Sequence, residues 1–218
     1  MPRTGRELVD GEIYHVINRG NGRNEVFKSV EDYEEFIELL IESLKRVDIS
    51  LYSFCLMPNH FHILIKAEKA TQMSEWMRWL MTSQVRRYHK RNNTSGHLWQ
   101  GRYKCFPVQK NQYFEIVMRY IERNPLRAKL VRKIEKWKWS SLYIRLRKKK
   151  GILKTPPINC GKGWLEWVQS PITDEELVKL RISVNRCRPY GSDKWITKKA
   201  KEMGLESTLK KIGRPSKL

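Results

Sequence analysis

The spacing of apolar side chains predicts two amphipathic helices in the first half of the chain. In each, apolar residues recur every three or four positions, which places them on one side of a helix. The first stripe comprises Tyr33, Phe36, Ile37, Leu40, Ile41 and Leu44. The second comprises Met73, Trp76, Met77, Leu80, Val85 and Tyr88. Ser29, followed by Glu31 and Asp32, is typical of a capped helix start, so we expect the first helix to begin there.

Four shorter stretches, rich in β-branched and aromatic residues, predict strands. They lie at residues 12–18, 49–56, 61–66 and 103–109. Asn111 is suited to cap a third helix, which we expect to end near Arg123 because Asn124-Pro125 disfavours its continuation. The order strand, helix, strand, strand, helix, strand is that of ferredoxin-like folds. The sequence therefore predicts an α+β protein with a four-stranded antiparallel sheet and helices on one face.

Basic residues give the chain a formal net charge of +21 and a pI near 10.0. Most of this charge lies in residues 84–150, which hold 20 basic and 3 acidic side chains. Aromatic residues such as Trp99, Tyr103 and Phe106 are interleaved with these cations. Because cations neutralise phosphates and aromatic rings stack on unpaired bases, this mixture favours single-stranded nucleic acid over a membrane surface as the partner.

The sequence also indicates where the protein is found. Its apolar runs are too short to span a bilayer and its first residues do not resemble a signal peptide, so we expect a soluble, cytoplasmic protein. The four cysteines lack the spacing of a metal site or a disulfide framework, and we expect them to be reduced, buried thiols.

The composition changes after the basic run that ends at Lys150. Residues 151–163 are rich in Pro and Gly, and further helices are predicted at Thr173–Asn185 and Asp193–Met203. We therefore divide the chain into a main domain, residues 1–148, and a basic linker with a helical extension, residues 149–218. Gly213-Arg214-Pro215 resembles the core of an AT-hook, which makes the extension a candidate DNA-binding appendage.

Two histidines in the third predicted strand are candidates for metal binding. Side chains alternate across a strand, so His60 and His62 point to one face. Phe61 and Ile63 point to the other face, where the helices would cover them, and we expect the histidine face to be uncovered. Two neighbouring imidazoles can chelate one divalent cation, but ordinary surface or core histidines show the same spacing.

The third helix carries a possible nucleophile. Tyr120 and Asn124 are four residues apart and share a face of the helix. The amide oxygen of Asn124 is suited to be a third metal ligand. The phenol of Tyr120 has an ordinary pKa of about 10, so at neutral pH it needs a metal, a base or nearby cations to act as a nucleophile. A partly buried structural tyrosine is the alternative interpretation.

Together, these motifs resemble a known family. The segments that carry the resemblance are Tyr14–Gly20, Met57–Leu64, Trp99–Lys104 and Tyr120–Ala128, followed by Trp139-Ser140-Ser141. In this order they resemble the single-tyrosine HUH transposases and, within them, the tyrosine transposases associated with repetitive extragenic palindromes (REP). The resemblance covers about residues 8–145.

The resemblance implies a role for each matched residue. His60 and His62 correspond to the pair that binds Mg²⁺ or Mn²⁺, and Asn124 to the polar third ligand. Tyr120 corresponds to the nucleophile. The implied enzyme is a metal-dependent transposase that nicks and rejoins single-stranded DNA near hairpins through a 5′-phosphotyrosine intermediate. The resemblance leaves open whether it acts as a monomer or a homodimer.

We further predict a set of DNA contacts and a supporting histidine. The candidate phosphate contacts are Arg86, Arg87, Arg102, Lys104, Arg127 and Lys129. His15 lies on the first strand, where a role in supporting the site or the core is favoured over direct catalysis.

Two other functions fit part of the pattern. A ferredoxin-like sheet can bind single-stranded DNA or RNA without cutting it. A replication or conjugation relaxase would share the HUH chemistry, but the sequence contains no helicase motif and only one fitting catalytic tyrosine.

Overall fold

The computed structural model describes residues 8–148 and 151–210; the AT-hook-like Gly213-Arg214-Pro215 lies outside them. The strands are β1 (Ile13–Arg19), β2 (Ser50–Met57), β3 (His60–Lys66) and β4 (Lys104–Pro107). The longer helices are α1 (Val30–Arg46), α2 (Ala70–Asn92), α3 (Gln112–Arg127), α6 (Asp174–Arg186) and α7 (Asp193–Glu202). Two short helices are α4 (Ser141–Leu146) and α5 (Trp164–Gln169).

The four strands form one antiparallel sheet in the order β2-β3-β1-β4. This is the order of a ferredoxin-like sheet, so the predicted fold class is confirmed. The register between β1 and β3 places Ile17 opposite His62 and Arg19 opposite His60. An arginine is therefore fixed beside the histidine pair by strand pairing alone.

One face of the sheet is covered by α1 and α2, as predicted. Phe61, Ile63 and Ile65 of β3 pack there in a core with Phe36 of α1 and Trp76 of α2. Ser29 caps α1, and its backbone N–H donates to Asp32 Oδ2 at 2.9 Å. The alternation of β3 thus puts its apolar side chains under the two helices and its histidines on the other face.

The expectation that the histidine face is uncovered is wrong. The apolar stripe of α3, which includes Phe114, Val117 and Ile121, packs on that face in a core with Leu64 of β3 and Phe106 of β4. Since the first face is already occupied by α1 and α2, the second face is where α3 can bury its stripe. Tyr120 lies on this helix and is thereby brought over the sheet.

Helix α3 does not end at Asn124-Pro125 as the sequence predicted, but continues to Arg127 with Pro125 inside it. A proline removes one backbone donor and crowds the carbonyl four residues earlier. In this helix the side-chain amide of Asn124 donates to the Tyr120 carbonyl at 2.9 Å, and Ala128 N–H donates to the Asn124 carbonyl at 2.9 Å. These bonds hold the turn around the proline in helical form.

A buried carboxylate ties α3 to the rest of the molecule. Glu122 is 0% exposed and accepts hydrogen bonds from Ser141 Oγ at 2.6 Å and Trp164 Nε1 at 2.8 Å. Arg145 lies 3.6 Å away as its cationic partner. Ser141 Oγ also bonds the backbone of Phe54 on β2, so Glu122 connects α3 to β2, α4 and α5.

The region after residue 150 packs against α3 and the sheet. The guanidinium of Arg119 donates to Ser170 and Pro171, and that of Arg123 donates to Val168 and Gln169 at the end of α5. Helix α6 begins after its cap Thr173, and α7 begins at Asp193, both close to the predicted positions. Helices α4 and α5 were not predicted from the sequence.

Two further expectations concern the described residues. No helix among them is long and apolar enough to cross a membrane. The four cysteines are free thiols; Cys55 and Cys105 are buried as predicted, whereas Cys160 and Cys187 are half-buried.

Loss of the Glu122 carboxylate should destabilise the fold. Glu122→Ala leaves the buried Trp164 Nε1 without an acceptor and removes a partner of Ser141 and Arg145, so we expect the free energy of unfolding in urea to fall by about 3 kcal/mol. Glu175→Ala, which removes a carboxylate exposed on α6, should cost less than about 0.5 kcal/mol. Equal effects of the two substitutions would contradict the structural role of Glu122.

Candidate active site

The histidines of β3 and the tyrosine of α3 lie together between the sheet and the helix. The ring centroids of His60 and His62 are 5.0 Å apart, and those of His62 and Tyr120 are 5.6 Å apart. His62 is 3% exposed and Tyr120 is 5% exposed, whereas His60 is half-buried. The structure therefore brings together the two predicted ligands and the predicted nucleophile.

A third histidine supports the pair. His15 of β1 is 0% exposed, and its Nε2 lies 2.9 Å from His62 Nδ1. Its ring centroid is 6.3 Å from that of Tyr120 and 4.9 Å from that of Phe106. A hydrogen bond between the two imidazoles fixes the orientation of the His62 ring, which is consistent with a supporting role for His15.

Hydrogen bonding also determines which nitrogens the two β3 histidines can offer. Asn59 Nδ2 donates to the Arg23 carbonyl at 3.0 Å, which fixes its Oδ1 towards His60 Nδ1 at 2.6 Å. Because Oδ1 only accepts, His60 Nδ1 donates, and Nε2 carries the lone pair of the neutral ring. Nδ1 of His62 is taken by His15, so Nε2 is its remaining nitrogen.

The surroundings keep both rings neutral. Burial, assisted by the charges of Arg19 and Arg127, lowers the pKa of His60 to about 4. Burial also holds the pKa of His62 well below its ordinary value of 6.5, and the neighbouring His60 and His15 act in the same direction. A neutral imidazole is the form that binds a metal, so both rings have the net charge that metal binding requires.

Arginines surround the phenol of Tyr120. Burial raises its pKa, so the phenol is protonated at neutral pH. Positive charges oppose this rise, in the order Arg127, Arg181 and Arg19. The guanidinium carbon of Arg127 lies 5.7 Å from the centre of the Tyr120 ring. Negative charge that develops on the phenol oxygen or on a nearby phosphate would be stabilised by these cations.

Asn124, the predicted third ligand, lies one turn beyond Tyr120 and is 0% exposed. Its Nδ2 donates to the Tyr120 carbonyl, and its Oδ1 accepts from Arg127 at 2.8 Å. Among the residues that the structure describes, no group of three His, Cys, Asp or Glu side chains could hold a metal ion. A third protein ligand would thus have to come from another residue type. Asn124 Oδ1 could bind a metal either while it still accepts from Arg127 or after that hydrogen bond breaks.

Two of the predicted DNA contacts line a cleft next to the histidines. Arg102 and Lys104 border a cavity of about 330 Å³ together with Arg19 of β1. Its wall also includes Ile17, the strand neighbour of His62. Sequence reasoning did not single out Arg19 or Arg181 as site residues; the pairing of β1 with β3 is the signal that could have identified Arg19.

The other predicted contacts lie in different surroundings. Arg86 is exposed on α2, and Lys129 is exposed just after α3. Arg87, in contrast, forms an ion pair with Glu42 of α1 at 3.0 Å and lies 3.9 Å from Glu38. Its guanidinium is therefore already engaged between two helices.

Comparison with known proteins identifies the family of this chain. The profile of the IS200-like transposases matches residues 9–124, more than half of the chain. The chain belongs to the IS200-like transposase family. No curated protein matches the sequence.

Two solved structures of transposases are similar to this chain, and the first of them shares its fold. A REP-associated tyrosine transposase bound to a REP hairpin is 15% identical, with a TM-score of 0.56, and the match covers 80% of this chain and 100% of that one. A candidate transposase from Deinococcus radiodurans R1 is 21% identical with a TM-score of 0.40, covering 55% of this chain and 95% of that one. The predictions of the family and of a DNA strand transferase are confirmed, which disfavours a protein that only binds nucleic acid.

The low pKa of His60 can be measured directly in this transposase. We expect its ring to stay neutral down to about pH 4 in ¹H–¹⁵N correlation spectra of the metal-free protein, because burial and two arginines oppose its charging. The unfolded chain takes up that proton near pH 6.5, so stability should fall as the pH drops from 6.5 towards 4. A ring that titrates near pH 6.5 in the folded protein would contradict this description of the site.

Proposed function

We propose that this transposase cuts and rejoins single-stranded DNA by attack of Tyr120 on a phosphodiester, with Mg²⁺ or Mn²⁺ held by His60 and His62. The observation that carries the proposal is the buried Tyr120 ring beside His62, with two neutral imidazoles and several arginines around it. A phenol, neutral nitrogen ligands and cations are what attack on a phosphate requires.

The donor atoms suit a divalent cation. The Nε2 atoms of His60 and His62 are the ring nitrogens left available once each Nδ1 has its partner. Asn124 is the proposed third ligand through Oδ1, and water and phosphate oxygens would complete the coordination. When bound, the cation would polarise the scissile phosphate as a Lewis acid.

The chain's own residues account for the remaining steps. The Tyr120 oxygen bonds to phosphorus and gives up its proton, while the bond to the 3′ oxygen breaks and that oxygen takes up a proton. Arg127 and Arg19 stabilise the negative charge on the phenol oxygen and the phosphate. The products are a 5′-phosphotyrosine and a free 3′-hydroxyl. Attack of a 3′-hydroxyl on that linkage reverses the step, so joining needs neither water nor ATP.

We propose hairpin DNA with an unpaired flank as the substrate. A transposase of the same fold was solved with a REP hairpin, and the basic, aromatic-rich residues 84–150 of this chain suit unpaired DNA. Arg102, Lys104 and Arg127 lie nearest the site, and we propose them as the main phosphate contacts, with Arg86 and Lys129 further out. Arg87 would contribute only by leaving its ion pair. We propose action in the cytoplasm, as a monomer or a homodimer.

The Tyr120 mechanism predicts a covalent product that depends on metal. With Mn²⁺ and end-labelled single-stranded hairpin DNA, we expect a protein–DNA adduct on a denaturing gel. Tyr120→Phe removes the attacking oxygen, and His60→Ala removes a ligand; each should reduce the adduct at least about 1,000-fold or below detection, as should EDTA.

Tyr113→Phe is the matched control, since this residue is on the same helix but packs against Tyr190. It should form adduct at the parent rate. An adduct that persists in Tyr120→Phe would overturn the mechanism. Tight binding without an adduct in the parent protein would favour a non-catalytic DNA-binding protein.

A further inference from the structure

Helix α6, from the C-terminal region, forms one wall of the cleft beside the catalytic residues. The cavity of about 330 Å³ is lined on one side by β1, β4 and the turn at Gln100–Arg102, and on the other by Val184 and Asn185 of α6. Lys104 Nζ donates to the Asn185 carbonyl at 3.4 Å and links the two walls. The cleft is therefore incomplete without α6.

The packing of α6 determines which of its side chains reach this cleft. Leu180 and Ser183 are buried, and Leu180 belongs to the core on the histidine face. Arg181 precedes Val184 and Asn185 by three and four residues, so it shares their face of the helix. Arg181 is exposed. Val184 and Asn185 line the cleft and Arg181 does not, but Arg181 lies one turn before them, and its charge counters the effect of burial on the pKa of Tyr120.

Arg181 also differs from the other arginines near α3 in having no protein acceptor. Arg119 and Arg123 donate to backbone carbonyls of the segment around α5, and Arg186 of α6 donates to the Ser207 carbonyl. Within residues 8–148 and 151–210, no hydrogen bond or ion pair engages the guanidinium of Arg181. Its five N–H donors are thus available to a ligand.

The charges along the cleft indicate the ligand. Arg19, Arg102 and Lys104 line it, and Arg127 approaches the phenol of Tyr120 from α3. A guanidinium binds a phosphate through two parallel hydrogen bonds, which makes arginine well suited to phosphate recognition. Several cations in and beside one cleft fit the phosphates of a sugar–phosphate backbone.

We propose that Arg181 binds a backbone phosphate of single-stranded DNA in this cleft, so that α6 completes the active site of the transposase. This inference rests on the proposed function. It gives the C-terminal region a defined place in catalysis: a strand that lies across Arg102, Lys104 and Arg181 is held with its phosphate near Tyr120.

The test compares single substitutions on α6 in the full-length protein. Arg181→Ala removes the charge, Arg181→Lys retains it, and Lys179→Ala removes a cation of the same helix that pairs with Glu175 and is 62% exposed. Binding of a fluorescent single-stranded hairpin DNA is measured against salt concentration in the Tyr120→Phe background. The rate of adduct formation is measured with Tyr120 intact.

For Arg181→Ala we expect a loss of about 0.7 in the slope of log K against log salt, the contribution of one phosphate contact on single-stranded DNA. Adduct formation should fall about 10-fold or more, since hydrogen bonds to charged groups are strong. Arg181→Lys should recover most of the slope, and Lys179→Ala should match the parent in both assays. Because Arg181 is exposed, the melting temperature should not change.

The outcomes separate this inference from the proposed function. If the parent forms the adduct and Arg181→Ala keeps the parent's slope and rate, the role of Arg181 is overturned and the Tyr120 mechanism stands. If the parent forms no adduct but Arg181→Ala still lowers the slope, the phosphate contact is supported and the Tyr120 mechanism fails. A loss of slope in Lys179→Ala equal to that in Arg181→Ala would show a non-specific charge effect and overturn the assignment.

Discussion

The position of Tyr120 depends on one buried carboxylate. Glu122 lies two residues after Tyr120 on α3 and bonds Ser141, which in turn bonds the backbone of Phe54 on β2. Its second oxygen accepts from Trp164. An uncompensated buried charge is costly, so these donors and Arg145 must stay in place, and α3 is held in one position on the sheet. Tyr120 thereby meets His62 at a fixed separation.

Burial also determines the protonation states of the side chains in the site. His15 and His62 are buried under α3 and His60 is half-buried beside them, and this environment favours the neutral forms of all three. Burial has the opposite consequence for Tyr120, because it disfavours the phenolate that the proposed attack requires. The arginines around the site offset this effect, and they come from β1, α3 and α6. The site is therefore assembled from the sheet, the helix over it and the C-terminal region together.

Periodicity was enough to predict the sheet and the first helices. Alternation along β3 separates His60 and His62 from Phe61 and Ile63, and this local property of a strand needs no tertiary information. The same reasoning failed for α3, since a proline was taken as a stop where helical backbone bonding continues beyond it, from Ala128 N–H to the Asn124 carbonyl. It also predicted an uncovered histidine face, because the sequence pattern alone does not show which helix packs on the second face of the sheet. Arg181 escaped prediction for a related reason: only the packing of α6 brings it to a site more than fifty residues away in sequence.

The most direct test of this account is to identify the residue that becomes linked to DNA. Trypsin cleaves after Arg119 and Arg123, so Tyr120 is released in the four-residue peptide Tyr120–Arg123, while Tyr113 is released in the adjoining peptide Asn111–Arg119. After reaction with single-stranded hairpin DNA and nuclease trimming, mass spectrometry should find the nucleotide on the first peptide. A nucleotide on the second peptide, or on any other tyrosine, would contradict the assignment of Tyr120 as the nucleophile.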